Sequence, residues 1–193
     1  MFDVMDTLVR DPFRTTMPAF FGLSFAELLA AKHPTAWIDF ELGRLSHEEF
    51  CASFFTDGRP VDADGLLAAM REAYEWLPGQ EALLARAVAA GFSCHAASNY
   101  PCWHATVEER LGLSRHLRWT AVSCYPHIAA RKPSPAFFAA AAAAAGAGSS
   151  SELLLIDDVL ANCEGARSAG WQAIHFSSSE QLEAELAELG VLL

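Results

Sequence analysis

The apolar run Leu153-Leu154-Leu155-Ile156 ends in Asp157-Asp158, and no other feature limits the fold of this chain so sharply. Four consecutive apolar residues closed by two carboxylates read as a buried strand that carries acid to its C-terminal edge. In open α/β sheets that edge is where ligands bind. A second acidic segment, Asp3-Val4-Met5-Asp6-Thr7, lies at the other end of the chain. Side by side, two such strands would gather three or four carboxylates at one spot. Uncompensated, these would repel, and some would take up protons. A hard divalent cation with oxygen ligands, above all Mg2+ with bound phosphate, resolves the repulsion. The plainer alternative is that these aspartates only cap helices.

Composition narrows the field. At 193 residues the chain is one domain, or one domain with an insert. No apolar run reaches the roughly 18 residues of a membrane span. A net charge of −11 with no basic cluster argues against nucleic acid as a partner. The cysteines Cys51, Cys94, Cys102, Cys124 and Cys163 are scattered, odd in number and without a Cys-x-x-Cys pair. That pattern suggests a reducing compartment and no structural zinc. Lys32 and Lys132 are the only lysines beside eleven arginines. Where lysine survives such a bias, a compact ammonium is favoured. The run Ala139–Ala145 belongs to the same bias. Only Met1 and Phe2 precede Asp3, whereas a core strand takes roughly five residues. We therefore expect a first strand that is clipped, with its first half and any leader upstream.

Along the chain, residues 13–77 read as helical. Ser24-Phe-Ala-Glu27 and Ser46-His-Glu-Glu49 both fit the capping box, so each predicts a helix start. Leu66, Leu67, Met70, Tyr74 and Leu77 form one stripe at helical spacing. From residue 80 the pattern alternates. Helices are expected at 80–90, 101–112, after Pro135, at 160–169 and at 179–189. Strands are expected at 92–98, 118–123, 153–157 and 172–176. Such alternation implies a parallel, three-layered α/β sheet. Right-handed crossovers put all strand C-termini on one edge. The helical block then enters after the first strand and hangs over that edge.

Four segments thus fall at strand ends: Asp3-Val-Met5-Asp-Thr7, Ser98-Asn99, Lys132-Pro-Ser-Pro135, and Asp157-Asp158 with Asn162 and Gly165-Ala-Arg-Ser-Ala-Gly170 behind it. In this order they resemble the four motifs of the haloacid dehalogenase-like (HAD) hydrolase superfamily, over the whole chain. The resemblance implies a Rossmann-like three-layer α/β/α core with a parallel sheet (1–12 and 79–193) and a small helical C1-type cap (13–78). It implies a Mg2+-dependent phosphatase acting on a small phosphorylated metabolite. Asp3 would be the nucleophile that forms an aspartyl-phosphate. Mg2+ would be held by the Asp3 carboxylate, the main-chain carbonyl of Met5 and Asp158, with Asp157 as a further or water-mediated ligand. Ser98 would bond the phosphoryl oxygens, Lys132 would steady Asp3 and the phosphate, Thr7 would hold the loop, and Asn99 would lie beside the substrate. Plainer roles stand beside these. Ser98 would cap the next helix, Lys132 would be a solvated charge, and Asn162 would cap or staple the last helix instead of touching substrate.

One departure matters. Family phosphatases carry a second Asp, a general acid, where this chain has Met5. General acid–base help is worth roughly 100- to 10,000-fold. Three outcomes follow: a slower enzyme, a substitute acid (Asp6, or the insert's His33 or His47), or a protein that binds without catalysis. The dehalogenase branch also lacks that acid, but it lacks the paired acids of the fourth motif as well.

Longer stretches resemble one branch, the plant and algal plastid flavin mononucleotide (FMN) phosphatases. They include Phe2-Asp-Val-Met-Asp-Thr-Leu-Val-Arg-Asp-Pro-Phe13, Lys32-His-Pro-Thr-Ala-Trp-Ile-Asp-Phe-Glu41 and Ser98-Asn-Tyr-Pro101. That resemblance implies Met5 as a branch feature, FMN as substrate and a chloroplast location, with the cytoplasm as the default otherwise. If non-catalytic, the chain would serve as a subunit of a plastid assembly. A flat flavin would stack on exposed aromatic faces. The candidates are Trp37, Trp76, Phe40 and Trp103, each of which would otherwise be core.

Overall fold

The computed structural model describes residues 1–191. Two parallel ladders carry the sheet. Strand β1 (His95–Ser98) pairs with β2 (Arg118–Val122), and β3 (Leu154–Asp157) pairs with β4 (Gln172–His175). The N-terminal residues join them. Phe2 N–H donates to His95 O and Ala97 N–H to Phe2 O on one side. Asp3 N–H donates to Ile156 O and Ile156 N–H to Met1 O on the other. Three residues thus hold the middle of the sheet, and every strand runs parallel.

Alternating side chains on these strands face two separate cores. Ala96 and Ile156 point to one cluster, with Leu83, Leu84, Val107, Leu182 and Leu186. Ala97 and Leu155 point to the other, with Phe137, Phe138, Ala166 and Trp171. Helices α6 (Gln80–Ala89), α7 (His104–Leu111) and α10 (Ser179–Glu188) therefore cover one face. Helices α8 (Pro135–Ala145) and α9 (Leu160–Ser168) cover the other. This is the expected three-layer α/β/α arrangement. The alanine run finds its use in α8, which starts on a Ser134 cap with Pro135 in its first turn.

The insert contributes α1 (Thr16–Phe20), α2 (Phe25–Ala31), α3 (Ala36–Glu41), α4 (His47–Ser53) and α5 (Ala63–Ala73). Both expected capping boxes form, at Ser24/Glu27 and Ser46/Glu49. The stripe differs from expectation at its end. Leu66 and Met70 are buried helical residues, but α5 stops at Ala73 and Tyr74 turns extended. The reason is pairing. Arg10 N–H donates to Glu75 O and Leu77 N–H to Leu8 O, so the chain leaves and re-enters the core as an antiparallel pair. Trp76 consequently lies on this returning segment and not on a helix.

Candidate active site

The ends of the stub, β3 and the loop after β2 meet where the sequence places the acids. Asp3, Asp157 and Asp158 bring carboxylate oxygens within 4.8 Å of one another. Lys132 reaches between them, its Nζ donating to Asp3 Oδ1 at 2.8 Å and to Asp157 Oδ2 at 2.6 Å. Its side chain is 1% exposed. One ammonium does not balance three carboxylates. Burial pushes the Asp3 carboxyl up to about 8, Lys132 pulls it back, and Asp157 and Asp158 push it further. Asp158 is raised by burial and by Asp157 and Asp6. Burial pulls the Lys132 ammonium down, but Asp3 and Asp157 outweigh it and hold it above the ordinary lysine range. The cluster thus has the excess negative charge that a divalent cation would relieve.

The oxygens divide by role. Asp157 is fully buried and fully engaged: Oδ1 accepts from Val159 N–H and Asn162 Nδ2, and Oδ2 from Lys132. Asn162 therefore holds the Asp157 carboxylate. Asp158 is tied through its main chain, its N–H donating to Thr7 Oγ1 at 3.1 Å and its carbonyl meeting His175 Nε2 at 2.8 Å. Thr7 Oγ1 also lies 3.5 Å from Asp158 Oδ1. The second oxygen of Asp3 and, among the described residues, the Met5 carbonyl accept no hydrogen bond from the protein. These atoms and Asp158 fit a hard cation.

Ser98 ends β1 with 1% exposure, and its Oγ has no protein partner. A buried hydroxyl without a partner is costly, so this atom is poised for a ligand and does not cap a helix. Asn99 brackets the main chain of Lys132, its Nδ2 donating to Lys132 O and its Oδ1 accepting Lys132 N–H. Its amide holds the lysine loop in place.

The candidates for a substitute acid make their hydrogen bonds away from the acids, and His47 Nε2 is buried without a partner. Asp6 lies at φ +56° and its carboxylate accepts Asp11 N–H. His33 Nδ1 caps α3 through Ala36 N–H. His47 Nδ1 accepts the indole N–H of Trp103. No hydrogen bond among the described residues joins any of them to the Asp3 cluster.

Among the aromatics, Phe40 and Trp103 are buried at 1% and 2%, Phe40 stacked on Phe50 and Trp103 edge-on to it. Neither has a face for a flavin, which corrects the expectation for both. Trp37 and Trp76 are half-buried. Trp37 rests on Phe13 and turns its edge to Tyr100, the residue after Asn99. Residue types alone did not reveal Glu41, which accepts Trp37 Nε1–H and pairs with Arg131 beside Lys132. The Trp37–Glu41 spacing of four was the available signal.

No protein-family model matches the chain. It is 40% identical over 191 residues to Flavin mononucleotide hydrolase 1, chloroplastic, of Arabidopsis thaliana, covering 99% of this chain and 77% of the relative. Its fold is similar to that of a HAD family enzyme of Bacteroides thetaiotaomicron solved with magnesium and inorganic phosphate. There the TM-score is 0.72 at 17% identity, over 92% of this chain and 93% of the other. A HAD-like family hydrolase of Porphyromonas gingivalis matches with TM-score 0.72 at 19% identity, over 100% and 97%.

Proposed function

The chain belongs to the HAD-like hydrolases, as a relative of a plant flavin mononucleotide hydrolase, and on that premise we propose that it is a Mg2+-dependent phosphomonoesterase cleaving FMN to riboflavin and phosphate. The single observation that carries the chemistry is the buried Asp3–Lys132–Asp157 cluster, with Asp158 beside it and an unpartnered Ser98 hydroxyl facing no protein group. In this reading Asp3 attacks phosphorus, the ester P–O bond breaks, and water later cleaves the aspartyl-phosphate. Lys132 orients Asp3 and favours its ionised form against the pull of burial, and Ser98 donates to a phosphoryl oxygen. Asp3, the Met5 carbonyl and Asp158 would hold Mg2+, with Asp157 reaching it at most through water. The ion would offset the charge of the phosphoryl group.

Met5 gives no proton, so the leaving oxygen draws its proton from water. That makes the enzyme slower than one with a carboxylic acid there. Residues 13–78 act as the cap, closing on the site and choosing the leaving group. Half-buried Trp37 and Trp76 are the insert's candidates for contact with a flavin ring. FMN and the plastid location rest on the plant relative. Among the described residues no helix is long and apolar enough to cross a membrane.

The test is phosphate release from FMN and a panel of phosphate esters, with Mg2+ and with EDTA, for wild type and Asp3→Asn. Turnover that requires Mg2+ and disappears in Asp3→Asn is expected. A well-folded wild type that releases no phosphate from any ester would move the assignment to a binding or assembly role.

A further inference from the structure

Glu41 is the one buried carboxylate of the insert that meets the core. It ends α3 with 5% exposure. Its Oε1 accepts the indole N–H of Trp37 at 2.6 Å, and its Oε2 lies 2.6 Å from Arg131 Nε. Its main-chain oxygen accepts Ser123 Oγ–H at 2.5 Å, and Ser123 Oγ in turn accepts Tyr100 N–H. The next turn is equally close. At Gly43, with φ +67°, a Cβ would lie 2.6 Å from the Cys124 carbonyl oxygen. The C-terminal end of α3 is therefore seated on the loops that follow β1 and β2.

Arg131 directly precedes Lys132, yet the two side chains go different ways. Lys132 reaches in to Asp3 and Asp157, and Arg131 reaches up to the insert. On the phosphatase reading a leaving group lies between Asp3 and the insert, the side to which Arg131 turns. The Glu41 Oε2–Arg131 Nε pair is buried and 2.6 Å long, so Glu41 holds the guanidinium at Nε. Among the described residues the two terminal nitrogens of Arg131 have no hydrogen bond to the protein, whereas Lys132 is committed to two carboxylates. Its side chain is one-third exposed, at 33%.

We propose that Arg131 and Glu41 form the leaving-group subsite, with Arg131 donating to oxygens of the substrate beyond its phosphate and Glu41 as the positioning residue that aims it. The chemistry suits a hydroxyl- or carbonyl-rich leaving group, such as the ribityl chain of a flavin nucleotide, and so rests on the phosphatase reading above. A planar guanidinium held at Nε keeps its two terminal nitrogens in a fixed fork, which suits paired oxygens. Burial pushes the Glu41 carboxyl up to about 7, and Arg131 with the Trp37 N–H pulls it back. The anion is thus held by the partner it orients.

The experiment compares kcat and KM for FMN, ribose 5-phosphate and phenyl phosphate at fixed pH and saturating Mg2+. The proteins are wild type, Arg131→Gln, Glu41→Gln and the double variant, with melting curves as a folding control. A hydrogen bond to a charged group is worth enough for about a ten-fold change or more. Arg131→Gln should therefore lower kcat/KM for the two oxygen-rich esters about ten-fold more than for phenyl phosphate, chiefly through KM. Glu41→Gln should show the same selectivity to a smaller degree. The double variant should be no worse than Arg131→Gln, since Glu41 acts through that residue. Parallel losses on all three esters, no loss on any, or a wild type that prefers phenyl phosphate would each overturn the subsite. A folded wild type inactive on all three would overturn the phosphatase reading instead. If Glu41→Gln does not fold, Arg131→Gln at its half-exposed position still decides the matter.

Discussion

Lys132 carries more of the site than any other single residue, because it is a buried cation held between two carboxylates. Removing one partner of such a cluster costs more than the cluster itself contributes, since the remaining charges stay buried. Lys132→Met keeps the length of the side chain and removes the charge. In EDTA it should lower stability by about 3 kcal/mol or more, read from the urea midpoint. With Mg2+ it should lower phosphate release by about 100-fold or more. Retention of near-normal turnover would remove Lys132 from the mechanism. That this lysine mattered was legible from its proline-rich segment and from lysine scarcity. That Asn99 holds its loop by both amide groups was not legible, because that contact joins positions 33 apart in sequence.

Secondary-structure elements set how closely these residues approach. Helix α9 runs past the lysine loop at Gly165, where an added Cβ would meet Phe138 at 2.8 Å and Pro133 at 2.9 Å. Glycine is needed there for space and not for an unusual backbone angle. Gly165→Ala should cost about 1–3 kcal/mol by overpacking. It should also slow turnover, because Pro133 adjoins Lys132; a urea titration and an FMN assay on one preparation would read both effects. Unchanged stability would mean that the α8–α9 contact yields easily. The strands and helices of residues 80–188 follow the hydrophobic pattern to within a few residues. Residues 74–77 do not: Tyr74 and Leu77 keep a helical spacing, yet the chain there is extended. The pattern records which side chains are buried. The hydrogen bonds from 75–77 to 8–10 choose the backbone.

Across the molecule, the acids that crowd the site couple cation binding to pH. The raised Asp3 carboxyl takes up a proton that the unfolded chain releases. Its contribution to stability is therefore fully present below the ordinary Asp range and is lost as pH rises through about 8. Mg2+ binds the deprotonated form and restores what that ionisation costs. The rise in Tm on adding Mg2+ should thus grow between about pH 6 and about pH 8.5. Taking the difference with and without Mg2+ cancels other groups that titrate there. These include the Met1 amine, pushed down to about 6 by burial, the Asp11 and Glu41 carboxyls, pushed up by burial to about 6 and about 7, and His95 and His104, which burial lowers. Scanning calorimetry across that range, with Mg2+ and with EDTA, reads the effect. A Mg2+ increment independent of pH would mean that Asp3 is already ionised without the cation.

Periodicity and strand-end acids were enough to derive the three-layer α/β core and to place Asp3, Asp157 and Asp158 at one edge of its sheet, and the resemblance to the superfamily's motifs pointed to Lys132 beside them. Each of these is a local property: a run of apolar residues, a capping box, or a polar residue at the end of a strand. What the folded chain decided is how those groups divide the work. Asp157 is consumed by Lys132, Asn162 and Val159, while Asp3 and Asp158 keep free oxygens. Phe40 vanishes into the insert and Trp103 packs edge-on against it, while Trp37 stays half-buried beside Tyr100. Glu41 and Arg131 become partners 90 positions apart in the chain. Burial and pairing of this kind depend on which distant segments share a volume, and no local pattern of residues encodes that.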